Sequence, residues 1–386
     1  MSDQRIPSTL PSDEGGRDTH DRRPTRVACF ISDLADGGAQ RAVVKLVGGM
    51  RARGLAVDVV LVNNEGTHLG RLDAGARIID LASGRVAKAI MPLAHYLRRE
   101  SPSALISFLS HANVAAVAAR ALARASLRLV LVEQNTVSAV RSDLRRDGLL
   151  PALVRRAYPR ADAVVCVSTG VAEDLITRLG VPAHKVSVIY NPVVDQELLD
   201  AATAPANHAW LEDDAERVFV ASGRLTAQKD FPTLIEAFRL LKSKVQARLI
   251  ILGEGEERGR LEAMISASNL SGDVDLHGFV ENPYAYLSRA DAFVLSSRWE
   301  GLPTVLIEAL ACGCPVVSTD CPSGPREILQ DGKYGALVPV GDAAALCDAM
   351  AQVLKTRPLK QVLREHSMSY SVDRAASQYI ELLNLD

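Results

Sequence analysis

Arg26-Val-Ala-Cys-Phe-Ile-Ser32 is a short strand-forming run, apolar without interruption from Val27 to Ile31. It breaks at Asp36-Gly37-Gly38 and resumes as a helical pattern over residues 39–53. An alternating strand has one face in water, whereas an uninterrupted apolar run needs cover on both faces. The same grammar recurs at residues 57–62, 104–108, 127–132 and 163–167. It starts afresh at Arg217-Val-Phe-Val-Ala-Ser222 and continues at 248–252, 274–277, 292–295 and 315–319. Helical patterns at 233–244, 256–267 and 304–312 separate these later runs. Parallel strands covered by helices on both sides, in two series, predict an α/β chain of two doubly wound, Rossmann-like domains facing across a cleft.

A chain of 386 residues exceeds what one hydrophobic core serves. The pattern divides it into a disordered polar tail (1–25), a first domain (26–195), a linker (196–215), a second domain (216–360) and a C-terminal helix (361–386) whose packing is open. Apolar residues at 48% and charged residues at 23% are the mix of a soluble globular protein. Aromatics at 4% leave the cores to Ala, Leu, Val and Ile. The 44 basic and 46 acidic groups nearly cancel, which excludes the basic excess of a nucleic-acid binder. The six cysteines show no CxxC spacing, and no His stands near Cys312, Cys314 and Cys321 at zinc-ligand spacing, so reduced thiols in a cytoplasm are expected. The tail has no apolar h-region, and no stretch approaches the roughly 20 apolar residues of a membrane span. Membrane contact, if made, is peripheral.

Candidate chemistry sits where strands give way to helices. Gly253-Glu-Gly-Glu-Glu-Arg258 begins like a dinucleotide fingerprint, but Arg258 stands where the third glycine belongs. It indicates only a close backbone approach at Gly253. Ser222-Gly-Arg-Leu-Thr-Ala-Gln-Lys-Asp230 puts Gly223, Arg224 and Lys229 at the mouth of a turn. A guanidinium fork with an ammonium suits a diphosphate, and a solvated basic pair at a helix end is the plain alternative. Trp299-Glu-Gly-Leu-Pro-Thr-Val-Leu-Ile-Glu308 tips the balance. Gly301 permits a tight turn and Pro303 suits the first helical position. The orphan amides from Leu302 through Thr304 to Val305 make an anion site. Glu308, a turn further in, is placed to accept from two vicinal ribose hydroxyls, and Glu300 to face a sugar. Otherwise Glu308 is a helix-dipole partner and Glu300 a surface charge.

Glu300 to Glu308 resembles the E-x7-E motif of retaining glycosyltransferases of family 4. Gly223-Arg-Leu with Gln228-Lys229, Leu252-Gly-Glu-Gly255, His277-Gly-Phe279, Ser296-Ser-Arg-Trp-Glu-Gly-Leu-Pro303 and Ala311-Cys-Gly-Cys-Pro-Val-Val-Ser318 are similar to the same family. Glu327-Ile-Leu, Gly332 and Gly335 continue the likeness, and Gly37-Gly38-Ala39-Gln-Arg41, Asp162, Ser168 and Tyr190-Asn-Pro192 resemble its first-half landmarks. The resemblance spans residues 25–355 and is most specific in the second half. It implies a GT-B fold. It implies Arg224 and Lys229 on the donor diphosphate, helped by the amides after Gly301, with Glu308 on the ribose and Glu300 on the donor sugar. The backbone of Gly278, Phe279 and Val280 would read the base, and Gly37 and Gly38 would form a glycine-rich loop beside the reacting sugar. His111, after the strand at 104–108, matches a cleft histidine of the family, or is a loop hydrogen-bonder. Asn135 occupies a comparable strand end. Arg224, Lys229, Glu300 and His111 form the expected catalytic set.

No first-domain carboxylate is marked by its surroundings as a nucleophile. The resemblance implies a front-face route with retention, in which the leaving diphosphate takes the acceptor's proton and catalysis rests on electrostatics and positioning. It implies no cofactor beyond the nucleotide-sugar substrate, and no metal, since Arg and Lys supply the charge. Asp320-Cys-Pro-Ser-Gly-Pro-Arg-Glu-Ile-Leu329 resembles the subgroup building bacterial lipopolysaccharide and capsule, which points to a UDP-hexose or UDP-N-acetylhexosamine donor. Residues 141–160 carry six Arg against two Asp among Leu and Val. They read as a surface for anionic lipid at the cytoplasmic face of the inner membrane, or as a solvated face. The lipid reading implies a lipid-linked saccharide or lipopolysaccharide-core acceptor, and without it the acceptor is a saccharide. Two alternatives stay open: an epimerase or phosphorylase of the same fold, and a catalytically silent binder.

Overall fold

The computed structural model describes residues 25–35, 37–136, 149–212 and 216–384. The expected tail before Thr25, the basic residues 141–148, and Asp36, Asp213 and Asp214 lie outside the described residues. Among the described residues the strands make two sheets. The first runs β3-β2-β1-β4-β5-β6-β7, from β1 (Arg26–Ile31), β2 (Ala56–Leu61), β3 (Arg77–Asp80), β4 (Ala104–Phe108), β5 (Arg128–Glu133), β6 (Ala163–Cys166) and β7 (Val186–Val188). The second runs β10-β9-β8-β11-β12-β13, from β8 (Arg217–Ser222), β9 (Ala247–Leu252), β10 (Val274–Gly278), β11 (Ala292–Leu295), β12 (Val316–Thr319) and β13 (Ala336–Val338). The strand pairings are parallel. Strand order reverses between β1 and β4, and again between β8 and β11, and the carboxyl ends of strands at such points form ligand crevices.

Helices cover both sheets: α1 (Gly38–Arg51), α2 (Ile90–Glu100), α3 (Ser110–Ala123), α4 (Leu150–Ala157) and α5 (Thr169–Glu173) in the first half. Then come α6 (Gln196–Ala201), α7 (Phe231–Lys242), α8 (Arg258–Ala267), α9 (Pro283–Leu287), α10 (Thr304–Ala311) and α11 (Pro325–Ile328). The chain ends with α12 (Ala343–Thr356), α13 (Lys360–Ser367) and α14 (Val372–Leu383). The expected linker is not wholly irregular, because Asp195 caps α6 by accepting from Leu198 N at 2.9 Å. The expected single last helix is two: Ser371 is extended, with ψ 150°, and its hydroxyl caps the restart at Arg374 N.

Those two pieces go to different halves. α13 packs on α10, with His366 against the Ile328 carbonyl at 2.6 Å. The chain then crosses beside residues 193–194, where Val193 N and Val194 N donate to the Tyr370 carbonyl and Val372 N returns a bond to Val194. α14 lands on α1, where Gly49 leaves the room it needs. A Cβ at Gly49 would stand 2.8 Å from Val372 Cγ1 and 3.0 Å from Ala376 Cβ. Central strands are buried along their length, and all six cysteines are buried and free. Asp58 is a buried carboxylate on β2, bound by Arg26 at 2.6 Å, Arg77 at 2.6 and 3.0 Å, and Tyr96 at 2.6 Å. Burial pushes its carboxyl up, and those donors outweigh burial and hold it below the usual carboxylate range.

Candidate functional site

The carboxyl ends of β8, β9 and β11 collect the second-domain residues singled out by sequence. Lys229, in the loop before α7, places Nζ 2.6 Å from Glu300 Oε1. Ser297 Oγ donates to the same oxygen at 2.6 Å. Glu300 is therefore a buried, paired carboxylate rather than an open one, and Lys229 is the cation bound to it. Arg224 is exposed nearby in sequence, and its guanidinium has no protein partner among the described residues. Gly223 packs along the Lys229 stem, where an added Cβ would sit 3.1 Å from Cε. Gly253 lies under Gly223, whose carbonyl oxygen would be 2.0 Å from any Cβ there.

α10 opens at Thr304, where the helical pattern begins, and Pro303 is its N-cap rather than its first residue. Leu302 is buried, while Thr304 and Val305 are half-buried. Glu308 is the fifth residue of α10, one turn in, and only 2% exposed. Across the cleft, Gly38 begins α1 opposite this start, 3.7 Å from Thr304 Oγ1 measured from an ideal Cβ. Gly37 is the residue before it, extended at φ 170°. The first domain also presses on Gly301. Gln134 O would lie 2.1 Å, and Asn135 Oδ1 3.1 Å, from a Cβ at that position, so no larger residue fits.

Arg41 was read only as part of the glycine-rich landmark, yet it reaches furthest. Its Nη1 lies 2.9 Å from Glu308 Oε1 and 3.5 Å from Tyr284 OH. The Glu308 charge raises the Arg41 pKa further, against burial. Each carboxylate of the E-x7-E segment thus has one cation: Lys229 from its own domain for Glu300, and Arg41 from the other domain for Glu308.

His111 stands exposed in the first turn of α3, and among the described residues it is not one of the side chains that bridge the cleft. The buried group beside it is Glu133, at the end of β5. Ser110 Oγ donates to both Glu133 oxygens at 2.9 and 3.0 Å, and Tyr158 OH to one at 2.5 Å. Burial raises the Glu133 pKa, and these donors oppose it. Sequence reading passed over it because nothing in Glu133-Gln-Asn marks burial.

Gly278 ends β10, and Phe279 projects at 68% exposure while Val280 tucks against the core. Just ahead, His208, Asp275 and His277 bring ligand-type atoms within 4.8 Å of one another. Asp275 Oδ2 lies 3.1 Å from His208 Nε2 and 2.9 Å from His277 Nδ1. Trp210 N donates to His208 Nδ1 at 3.2 Å. That fixes the neutral tautomer with its proton on Nε2, pointing at Asp275. The trio is a hydrogen-bonded strut between linker and β10.

Residues 36–197 match the model of Glycosyltransferase Family 4, and residues 206–369 that of glycosyl transferases group 1. The chain is 29% identical over 350 residues to the Campylobacter jejuni N-acetylgalactosamine-N,N'-diacetylbacillosaminyl-diphospho-undecaprenol 4-alpha-N-acetylgalactosaminyltransferase, covering 88% of this chain and 93% of that one. It is 29% identical over 366 residues to the lipopolysaccharide core biosynthesis glycosyltransferase LpsE of Rhizobium meliloti, covering 90% and 96%. Among solved structures, Anabaena HepE in complex with UDP is similar in fold, with a TM-score of 0.77 at 20% identity over 93% of this chain and 99% of that one. WaaG, described as a glycosyltransferase of lipopolysaccharide biosynthesis, is similar with a TM-score of 0.73 at 15% identity, covering 93% and 100%. With a family model on each half and two parallel sheets meeting at their carboxyl ends, the chain belongs to the glycosyltransferases of family 4 and has the GT-B fold.

Proposed function

We propose that this enzyme moves a hexose or N-acetylhexosamine from a UDP-sugar to a lipid-linked saccharide, with retention of configuration and without a metal ion. The observation that carries the reading is the row of groups along one cleft edge. Arg224 and Lys229 lie ahead of α7, the free amides of the α10 start follow Gly301, and Glu308 stands one turn in. A diphosphate fits the cations and amides. A ribose fits Glu308, whose Oε1 already holds Arg41 and whose second oxygen has no protein donor among the described residues. Lys229, held by Glu300, gives the leaving diphosphate a fixed positive charge in place of a divalent ion. Glu300 in turn borders the sugar. The relatives named for lipopolysaccharide and undecaprenol-linked saccharides support the acceptor class, and the UDP complex of HepE supports the nucleotide.

No helix among the described residues is long and apolar enough to cross a membrane. Contact with the cytoplasmic face of the inner membrane is assigned to α4. There Leu149 and Leu153 are 73% and 46% exposed beside exposed Arg155, Arg156 and Arg160.

The test is a thermal-shift panel of UDP, UDP-glucose, UDP-N-acetylglucosamine and UDP-N-acetylgalactosamine, followed by turnover. A ligand at 100 times its Kd adds about 2.7 kcal/mol of apparent stability. Glu308→Ala and Lys229→Ala are each expected to lower kcat/KM about 100-fold. No shift with any UDP compound, or near-wild-type turnover in both variants, would sink the reading.

A further inference from the structure

The donor loop is fixed from outside its own domain. Ser323 Oγ donates to the Gly301 carbonyl at 2.9 Å. The same Oγ lies 2.7 Å from Ser168 Oγ of the first domain. Ser168 is the N-cap of α5 and accepts from Val171 N at 3.3 Å. Since the Ser323 proton goes to Gly301, the proton between the serines belongs to Ser168. The bonds therefore run in one direction, from Val171 N–H through Ser168 and Ser323 to the Gly301 carbonyl. Bonds in series with one sense polarise and strengthen one another.

A second grip lies four residues on. Glu327, in α11, accepts from Thr169 N at 2.9 and 3.2 Å and from Thr169 Oγ1 at 2.8 Å. Its Oε1 also accepts from Tyr190 OH at 2.7 Å. A second-domain carboxylate thus closes on the α5 start and on a first-domain tyrosine. Gly170 makes this approach possible. A Cβ there would sit 2.8 Å from Ser323 Oγ and 3.1 Å from Ser323 Cα.

The peptide joining Gly301 to Leu302 is planar and trans, so its N–H points opposite to its C=O. Holding the Gly301 carbonyl on Ser323 aims the Leu302 N–H away from Ser323. That amide is one of the donors assigned to the diphosphate. We infer that Ser168, Thr169 and Tyr190, acting through Ser323 and Glu327, are positioning residues that aim the donor loop only when the two domains are closed. This rests on the donor reading above and adds a coupling to it: the acceptor domain completes the leaving-group site. The charge developing on the leaving diphosphate is larger in the transition state than in the bound donor, so the clamp acts on kcat more than on affinity for the UDP-sugar.

The test compares Glu327→Gln, Gly170→Ala, Thr169→Val and Thr169→Ser with the wild type. Turnover is read as UDP release from whichever UDP-sugar of the panel the wild type uses, and affinity by calorimetry with that UDP-sugar in the absence of acceptor. Glu327→Gln, Gly170→Ala and Thr169→Val are expected to lose about 10-fold or more in kcat, with the Kd for the UDP-sugar within about threefold of wild type. Thr169→Ser keeps the hydroxyl and is expected to keep kcat. Unchanged kcat in Glu327→Gln and Gly170→Ala overturns the inference, as does a loss of UDP-sugar binding equal to the loss of kcat. If the wild type ignores every UDP compound, the donor reading fails and small-angle scattering decides the clamp alone. A larger radius of gyration in Gly170→Ala than in wild type supports the clamp, and an equal one overturns it.

Discussion

Arg41 and Glu308 stand 267 positions apart in the chain and 2.9 Å apart in space. Nothing in either local sequence names the other as its partner. Glu308 was legible as a carboxylate one turn into a helix, because Gly301 and Pro303 announce that helix. The cation that neutralises it was not, because the pairing depends on how two domains close. Lys229 and Glu300 lie in one domain, but across 71 positions nothing in the sequence says that the two expected ligand contacts are also bonded to each other. At this scale the expectation concerns the cross-cleft pair. Arg41→Ala removes a charge-assisted bond from a carboxylate that is 2% exposed, and is expected to lower kcat/KM about 10-fold. Adding Arg41→Ala to Glu308→Gln is expected to cost little more than Glu308→Gln alone. Fully additive losses in that double-mutant cycle would show that the two side chains act independently.

Most of the strands readable in advance are buried on both faces, the exception being β10, an edge strand with Asp275 half-buried and His277 exposed. β1, β2, β4, β5, β6, β8, β9, β10, β11 and β12 lie within two residues of the apolar runs that announce them. β3, β7 and β13 were not anticipated, and each is an edge or near-edge strand of three or four residues. β3 reads Arg-Ile-Ile-Asp and is mostly exposed, so it never needed a continuous apolar run. An edge strand that short carries little signal, and charged edges also guard against stray pairing. α4 is a different case, a basic helix that the sequence reading left unassigned, with Leu153 exposed on it and Leu149 exposed just before it among the described residues. Its expected partner is anionic lipid. Cosedimentation with phosphatidylglycerol-containing vesicles should fall at least several-fold in a Leu149→Ser, Leu153→Ser, Arg155→Glu, Arg156→Glu variant, and should weaken with added salt in wild type. Equal sedimentation of the two proteins would leave α4 as an ordinary solvated surface.

In the whole molecule, the order of domains in the sequence is not their order in space. The expected division placed everything after residue 360 in an unassigned helix; the chain instead crosses back so that α14 closes on α1. Gly48 and Gly49 allow this seam to be tested within one helix. Gly49→Val pushes a side chain into Val372 and Ala376, and overpacking of that kind costs about 1–3 kcal/mol. Gly48 faces open space, so Gly48→Ala is expected to be neutral or to stabilise by up to about 1 kcal/mol through helix propensity. Thermal unfolding of both variants should therefore move in opposite directions, or at least separate by several degrees. A Gly49→Val protein as stable as Gly48→Ala would show that α14 packs loosely.

The returning helix also sets a rule for recombination. A graft that joins the front half of this transferase to the rear half of a relative, to exchange donor preference, imports a foreign α14 onto the native α1. The compatible splice has to leave residues from about Ser371 onward with the parent that supplies Gly49, so the exchangeable cassette has two cut points instead of one.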